Sequence, residues 1–248
     1  LACILTGFLA ATITSFADQP DFAGQARAAY GEAAKAYHES PLAAGLAWKF
    51  ARACYDVADY ATNNTERAAF AEEGITACRN LISKDPRSVS AHYYLGMNLA
   101  QLARTKGIAA LKIVNQMRDQ FVLAQELDPA FDHAGPDRNL GLLYHEAPSW
   151  ISIGNRSKSH HHLQAAVDIA PDYPENHLNL AEACLAWGDR NGAKREFKAL
   201  EMIWETAHAT YSGVLWASSW LDWERRFAQL KNKIAEPSRA IESPRRSE

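Results

Sequence analysis

The sequence predicts an all-α fold, a right-handed solenoid of helical hairpins closed at its C-terminal end by a capping helix. Three observations lead there. Alanine is abundant from residue 23 to 58 while β-branched runs are scarce, a composition that favours helix over strand. An acidic or small residue followed by proline recurs at Asp85-Pro86, Asp128-Pro129 and Ala170-Pro171, 43 and 42 residues apart. Behind each proline comes a leucine and a small residue, Leu95-Gly96, Leu140-Gly141 and Leu180-Ala181, with the small residue 10, 12 and 10 positions on. With 248 residues, 48% of them hydrophobic, the chain can build one continuous solenoid and needs no second domain.

The elements follow in order. Residues 1–17 carry no charge and close with Ser15 and Ala17 at the small positions that signal peptidase prefers. The segment reads as a secretory signal peptide cleaved before Asp18, too short to cross a bilayer as a helix, and predicts a periplasmic or secreted protein. The alternative is an apolar end or a helix that caps the fold. Residues 18–234 form the solenoid. A first helix is expected over 21–38, then a hairpin of 42–60, with Trp48, Phe50, Tyr55 and Val57 on its apolar side, and 66–83. Thr62-Asn63-Asn64-Thr65 makes the turn, with Thr65 as candidate cap.

Three recurring units come next. Proline lacks an amide donor and suits a helix start or the link between helices. The small residue lets two antiparallel helices cross closely, and Leu99, Tyr144 and Cys184, three positions on, fill the groove beside it. In the last unit Ala181 is followed by Ala193, Phe197 and Leu200, with Trp187-Gly188-Asp189-Arg190-Asn191-Gly192 as a polar turn. This pattern resembles the tetratricopeptide (TPR) repeat. The earlier units are longer: 33 residues separate Gly96 from the next Pro and 30 separate Gly141 from its own, against about 24 in a standard repeat. Residues 213–234 place Trp216, Trp220, Trp223 and Phe227 on one helical face. That stripe is the capping helix, with a homo-oligomer interface as the other reading. Residues 235–248 have the composition of a disordered tail.

Composition narrows the function. Lys and Arg number 26 against 29 Asp and Glu, a net charge of −3, which offers no basic field for nucleic acid. The four cysteines have no zinc-ligand spacing. Cys54 and Cys78 face one another across the first hairpin, either as a disulfide or as two buried thiols. His160-His161-His162 lie about 100° apart around a helix and cannot converge on one ion, so neither metal nor cofactor is expected. Gly154-Asn155-Arg156-Ser157-Lys158 opens a helix without phosphate-loop spacing and reads as a solvated helix start. Asp137 with His145 would make an acid and base pair, yet no nucleophile or oxyanion site accompanies them, so no catalytic residue and no enzyme activity are expected. Arg138 is expected to make a partner contact or an ion pair between repeats.

Glu146-Ala147-Pro148-Ser149-Trp150, the loop Ile153 to Lys158, and Ala170-Pro171-Asp172-Tyr173-Pro174-Glu175-Asn176 together resemble the T component of bacterial TRAP transporters, the TatT family, over roughly residues 85 to 200. The resemblance implies a periplasmic TPR protein that scaffolds or feeds the solute-binding subunit of an importer through an apolar groove or pore. In such solenoids the first helix of each pair lines the concave face. On this chain that face is expected to present Tyr93, Met97, Arg138, Leu142, His145, Leu178, Glu182 and Leu185. The expected function is an exported scaffold binding a protein partner, either a peptide segment or a transporter solute-binding subunit. The alternative is a small apolar ligand held in the same groove.

Overall fold

The computed structural model describes residues 20–41 and 43–236, without the side chain of Ile108. The expected signal peptide, Cys3 and the polar tail beyond residue 236 lie outside the described residues. Those described form α-helices and two short 3-10 turns, with no strand among them. The helices are α1 (Phe22–Glu39), α2 (Ala44–Asp59), α3 (Asn64–Ile82), α4 (Val89–Ala103), α5 (Ala110–Leu127), α6 (Phe131–Glu146), α7 (Arg156–Ile169), α8 (Pro174–Ala186), α9 (Arg190–Thr210) and α10 (Ala217–Ala235).

Local chemistry sets several of the boundaries. Asp21, Asn155 and Asp189 each accept a hydrogen bond from the backbone of the first turn they precede. At α3 the cap is Asn63 rather than the expected Thr65: its side chain accepts from the Glu66 amide at 2.9 Å. Glu66 reaches back to the Thr62 amide at 2.7 Å and the Thr62 hydroxyl at 2.8 Å. This reciprocal arrangement needs the acid three residues after the cap, a spacing that Asn63 has and Thr65 lacks. Pro174 opens α8, and Gly188, at φ +78, lets the chain leave it.

The helices pair as α2/α3, α4/α5, α6/α7 and α8/α9, and α2, α4, α6 and α8 touch in sequence along the inner side. This is the right-handed TPR-like solenoid the sequence predicts. α1 lies on α2, and α10 packs on α8 and α9. The small residues stand where the helices of a pair meet. A Cβ on Gly96 would lie 2.6 Å from the Phe121 ring of α5, and one on Gly141 would lie 2.6 Å from the Leu163 side chain of α7.

A second repeat position was not apparent as such in the sequence. Four residues before the small residue, each inner helix carries a buried polar group that reaches its outer partner. His92 sits 2.7 Å from the Gln120 amide oxygen and 3.0 Å from the Pro86 carbonyl. His177 repeats this with Glu196 at 3.1 Å and Pro171 at 2.9 Å. In α6 the position is Asp137, which accepts from Gln125 at 2.7 Å and pairs with His162 of α7 at 2.8 Å. Asp137 therefore does not meet His145, as an acid and base pair would require. His162 also stacks on Tyr144.

Cys54, Cys78 and Cys184 are buried, unbonded thiols. Burial raises all three, Cys184 to about 11. The tryptophan stripe of α10 is core: Trp220 and Trp223 are buried, Trp216 and Phe227 partly so, and the Trp220 indole donates to the Tyr211 carbonyl.

Candidate functional site: a cavity on the concave face

α6 does not begin as a regular helix. Asp132, His133 and Ala134 have φ of 51°, 55° and 61°, three consecutive non-glycine residues in the left-handed region. Each such residue costs about 1–2 kcal/mol, so the turn persists only where its surroundings over-determine it. Here they do. The Arg138 guanidinium donates to the carbonyls of Asp132 and His133 at 3.1 and 3.0 Å and to the Asp132 carboxylate at 3.0 Å. Asn176 of α8 donates to the His133 carbonyl at 3.1 Å, and the Tyr93 hydroxyl of α4 donates to the Asp132 carboxylate at 2.5 Å. The His133 ring stacks on Tyr173 at 4.4 Å between centroids, and the Arg138 guanidinium covers the same tyrosine at 5.1 Å. Burial opposes the charge on Arg138, but Glu175, Tyr93, Tyr173 and Asp132 outweigh it and hold the guanidinium protonated.

The left-handed turn forms one wall of a cavity of about 470 Å³ on the concave face. Arg52, Tyr55 and Asp56 of α2 line the opposite side. Tyr93, Tyr94 and Met97 of α4 and Asn139 and Leu142 of α6 form the floor, while Tyr173 and Glu175 stand at the start of α8. Leu215 and Trp216, just before α10, and Ser219 in its first turn complete the lining. Some of these groups are committed to the fold. Asn139 donates to the Tyr93 hydroxyl oxygen at 3.2 Å and to the Gly135 carbonyl at 2.9 Å. A Cβ on Gly135 would lie 2.7 Å from that same hydroxyl. Others are held less tightly. Arg52 and Asp56 form an exposed i, i+4 ion pair at 3.6 Å, and Asp56 is pushed up to about 6 by burial, with Arg52 opposing the shift.

Of the eight residues expected on this face, Tyr93, Met97, Arg138 and Leu142 line the cavity and the other four do not. Leu178 is fully buried in the core, and Leu185 packs against it. Glu182 is taken by Arg226 of α10, at 2.6 and 3.0 Å, and Arg226 also donates to Asn179 at 2.5 Å. His145 meets Trp187 edge-on, with its Nδ1 buried and unpartnered among the described residues. The reason is common to Leu178, Glu182 and Leu185: α10 lies along α8 and fills the groove there. The sequence reading missed Arg52, Asp56, Tyr94, Asp132 and Glu175. Its one signal for Asp132 was the longer spacing of the middle unit, 12 residues rather than 10. Those two extra residues are accommodated in the left-handed turn.

No group of three or more His, Cys, Asp or Glu side chains is placed to hold a metal among the described residues. No described helix is long and apolar enough to cross a membrane.

The model of the family described as Regulator of microtubule dynamics protein 1-3 matches residues 10–134, half of the chain. The chain belongs to this family. The matched span includes the cavity-lining residues of α2 and α4 and ends in the left-handed turn. Among solved structures, this family member is similar to TTC0263, a thermophilic TPR protein of Thermus thermophilus. The two are 21% identical over 84% of this chain and 92% of the other, with a TM-score of 0.62. It is also similar to MamA, with 17% identity over 74% of this chain and 91% of that one and a TM-score of 0.51. These likenesses show a TPR-like fold. No curated protein sequence matches the chain.

Proposed function

We propose that the protein is a non-catalytic TPR-type scaffold that holds a segment of a partner protein in the concave cavity between α2, α4 and α6. The observation that carries this reading is the division of labour in the lining. Arg138, Asp132 and Tyr93 hold the wall rigid, while Tyr94 and the exposed Arg52–Asp56 pair, only 3.6 Å apart at its closest, remain accessible to an occupant. A prearranged site of this kind reduces the ordering cost of binding. The lining is polar and charged, which favours a peptide segment over the alternative occupant, a small apolar ligand.

The partner has two candidate identities. Membership of the Regulator of microtubule dynamics family favours a component of a microtubule assembly. The motif resemblance over residues 85–200 favours the solute-binding subunit of a transporter, in an exported chain whose residues 1–17 are a signal peptide. Capture with the full chain and with Asp56→Ala, from an extract of the source organism, tests the scaffold reading. A protein held by the first and lost from the second supports it, and its identity separates the two partners. Equal capture by both variants overturns the cavity as the binding site. A small molecule that copurifies in native mass spectrometry and is lost from the variant moves the assignment to the apolar-ligand alternative.

A further inference from the structure

We infer that the cavity takes a cationic group, the Lys or Arg side chain of a partner segment, seated among Asp56, Glu175 and Tyr94; this rests on the cavity being the partner site. The charges of the lining differ in accessibility. Arg138 is only 6% exposed and its donors are already directed into the left-handed turn. The side chains of Asp56, Asp132 and Glu175 are 48%, 35% and 31% exposed. Arg52 is the one guanidinium of the lining that solvent reaches freely, and it already stands beside Asp56. Asp132 is already held by Arg138 and Tyr93, so an entering group meets two carboxylates, Asp56 and Glu175, the latter 3.9 Å from the buried Arg138, and one accessible cation, Arg52. In a concave site with low-dielectric walls that field favours a positive charge and disfavours an anion.

An independent observation points the same way. Tyr94 is 5% exposed and lines the cavity, and its hydroxyl, which makes no hydrogen bond among the described residues, is still reached by solvent. It is placed to accept from an ammonium or guanidinium donor. Trp216 adds an aromatic surface to the lining, suited to a cation. Beside it Val214 and Leu215 are 75% and 92% exposed, so apolar residues flanking the basic one have a surface to cover.

The test uses fluorescent nonapeptides of Gly and Ser with a central Leu-Xaa-Leu, where Xaa is Arg, Lys, norleucine or Glu, titrated into the full chain by anisotropy. The Arg and Lys peptides are expected to bind at least about tenfold tighter than the norleucine peptide and the Glu peptide weakest, with the gap narrowing from about 50 to about 300 mM salt. Asp56→Asn should weaken the Arg peptide severalfold, whereas Arg52→Gln, which removes the competing cation, should strengthen it. Both positions are exposed on α2, and thermal unfolding by circular dichroism confirms that each variant folds. Equal binding of all four peptides, weakened alike by Tyr94→Ala, overturns the preference for a cation and leaves the cavity as a peptide site. Binding of none overturns both readings.

Discussion

The middle hairpin, α6 with α7, and its neighbours α4/α5 and α8/α9 share a plan and differ at the entry to the inner helix. In the neighbours ten residues separate the proline from the small crossing residue, and a buried histidine ties the inner helix to that proline's carbonyl and to the outer helix. In the middle unit the spacing is twelve, the histidine is replaced by Asp137, and the imidazole comes from His162 on the outer helix. The extra length is wound left-handed, which turns Asp132 towards the concave side. Two extra residues thus convert a packing element into a wall of the cavity, and the crossing at Gly141 is left undisturbed.

Removing what holds that turn should have the largest effect. Arg138→Met leaves the Asp132 and His133 carbonyls and the Asp132 carboxylate short of a buried donor, and a loss of about 3–5 kcal/mol is expected. Arg226→Met, which breaks a more exposed pair between α8 and α10, should cost about 1 kcal/mol. Urea unfolding of both variants checks the contrast. Equal losses would mean that the middle turn needs no special support.

Overpacking the crossings, which the three units share, should have the next largest effect. Gly96→Ala and Gly141→Ala should each cost about 1–3 kcal/mol by overpacking. Gly141 should cost more, because its Cβ would also lie 3.0 Å from the Leu163 amide nitrogen, which cannot swing aside. Gly31→Ala in α1 meets nothing within 4 Å and should stabilise by up to about 1 kcal/mol through helix propensity. A smaller loss at Gly141 than at Gly96 would show that the insertion loosens the middle crossing.

These crossings are also what the sequence made legible. A small residue at fixed distance from a proline reports a steric requirement between two helices, and that requirement is written in residue type and spacing. The hairpins of the three units followed from it, and the cap followed from a second local signal, the aromatic stripe from Trp216 to Phe227. What α10 does to α8 was not legible, because Glu182 and Arg226 lie 44 residues apart and nothing local announces their pairing. The left-handed turn was hidden for a different reason. Asp-His-Ala has no glycine to mark positive φ, and only buried donors from Arg138, Asn176 and Tyr93 make that conformation stable. Arg52 and Asp56 carry no local signal, because the cavity they line is assembled only when the superhelix brings α2, α4, α6 and the start of α8 together.

The same hidden turn can be tested at a third, smaller scale. Ala181 lies in regular helix and is fully buried, and Ala134, also fully buried, is left-handed. Ala181→Gly should cost about 1 kcal/mol for propensity and about 0.8 kcal/mol for the lost methyl. In Ala134→Gly the loss of the methyl is offset by relief of about 1 kcal/mol of backbone strain, so stability should barely change. Similar losses at both sites in parallel denaturation curves would argue against a left-handed Ala134.

The smallest effect concerns how the turn acts across the cavity on α2. Asp56 rises from 3.8 to about 6, first because burial disfavours its charge and then because Asp59 and Asp132 repel it, with Arg52 opposing. Its folded-state value lies above its unfolded value, so between them the folded protein holds the proton more tightly. Stability should therefore decline as pH rises from 3.8 to about 6 and then level off with respect to this group. Water reaches the side chain, and screening should keep the change below about 1 kcal/mol. Asp56→Asn should remove that part of the slope in unfolding curves collected across this range. Asp132→Asn should instead move the upper end of the window downward, since it deletes one of the repelling carboxylates and leaves the other neighbours of Asp56 in place. An unchanged window in Asp132→Asn would uncouple the middle turn from α2 and confine its role to packing.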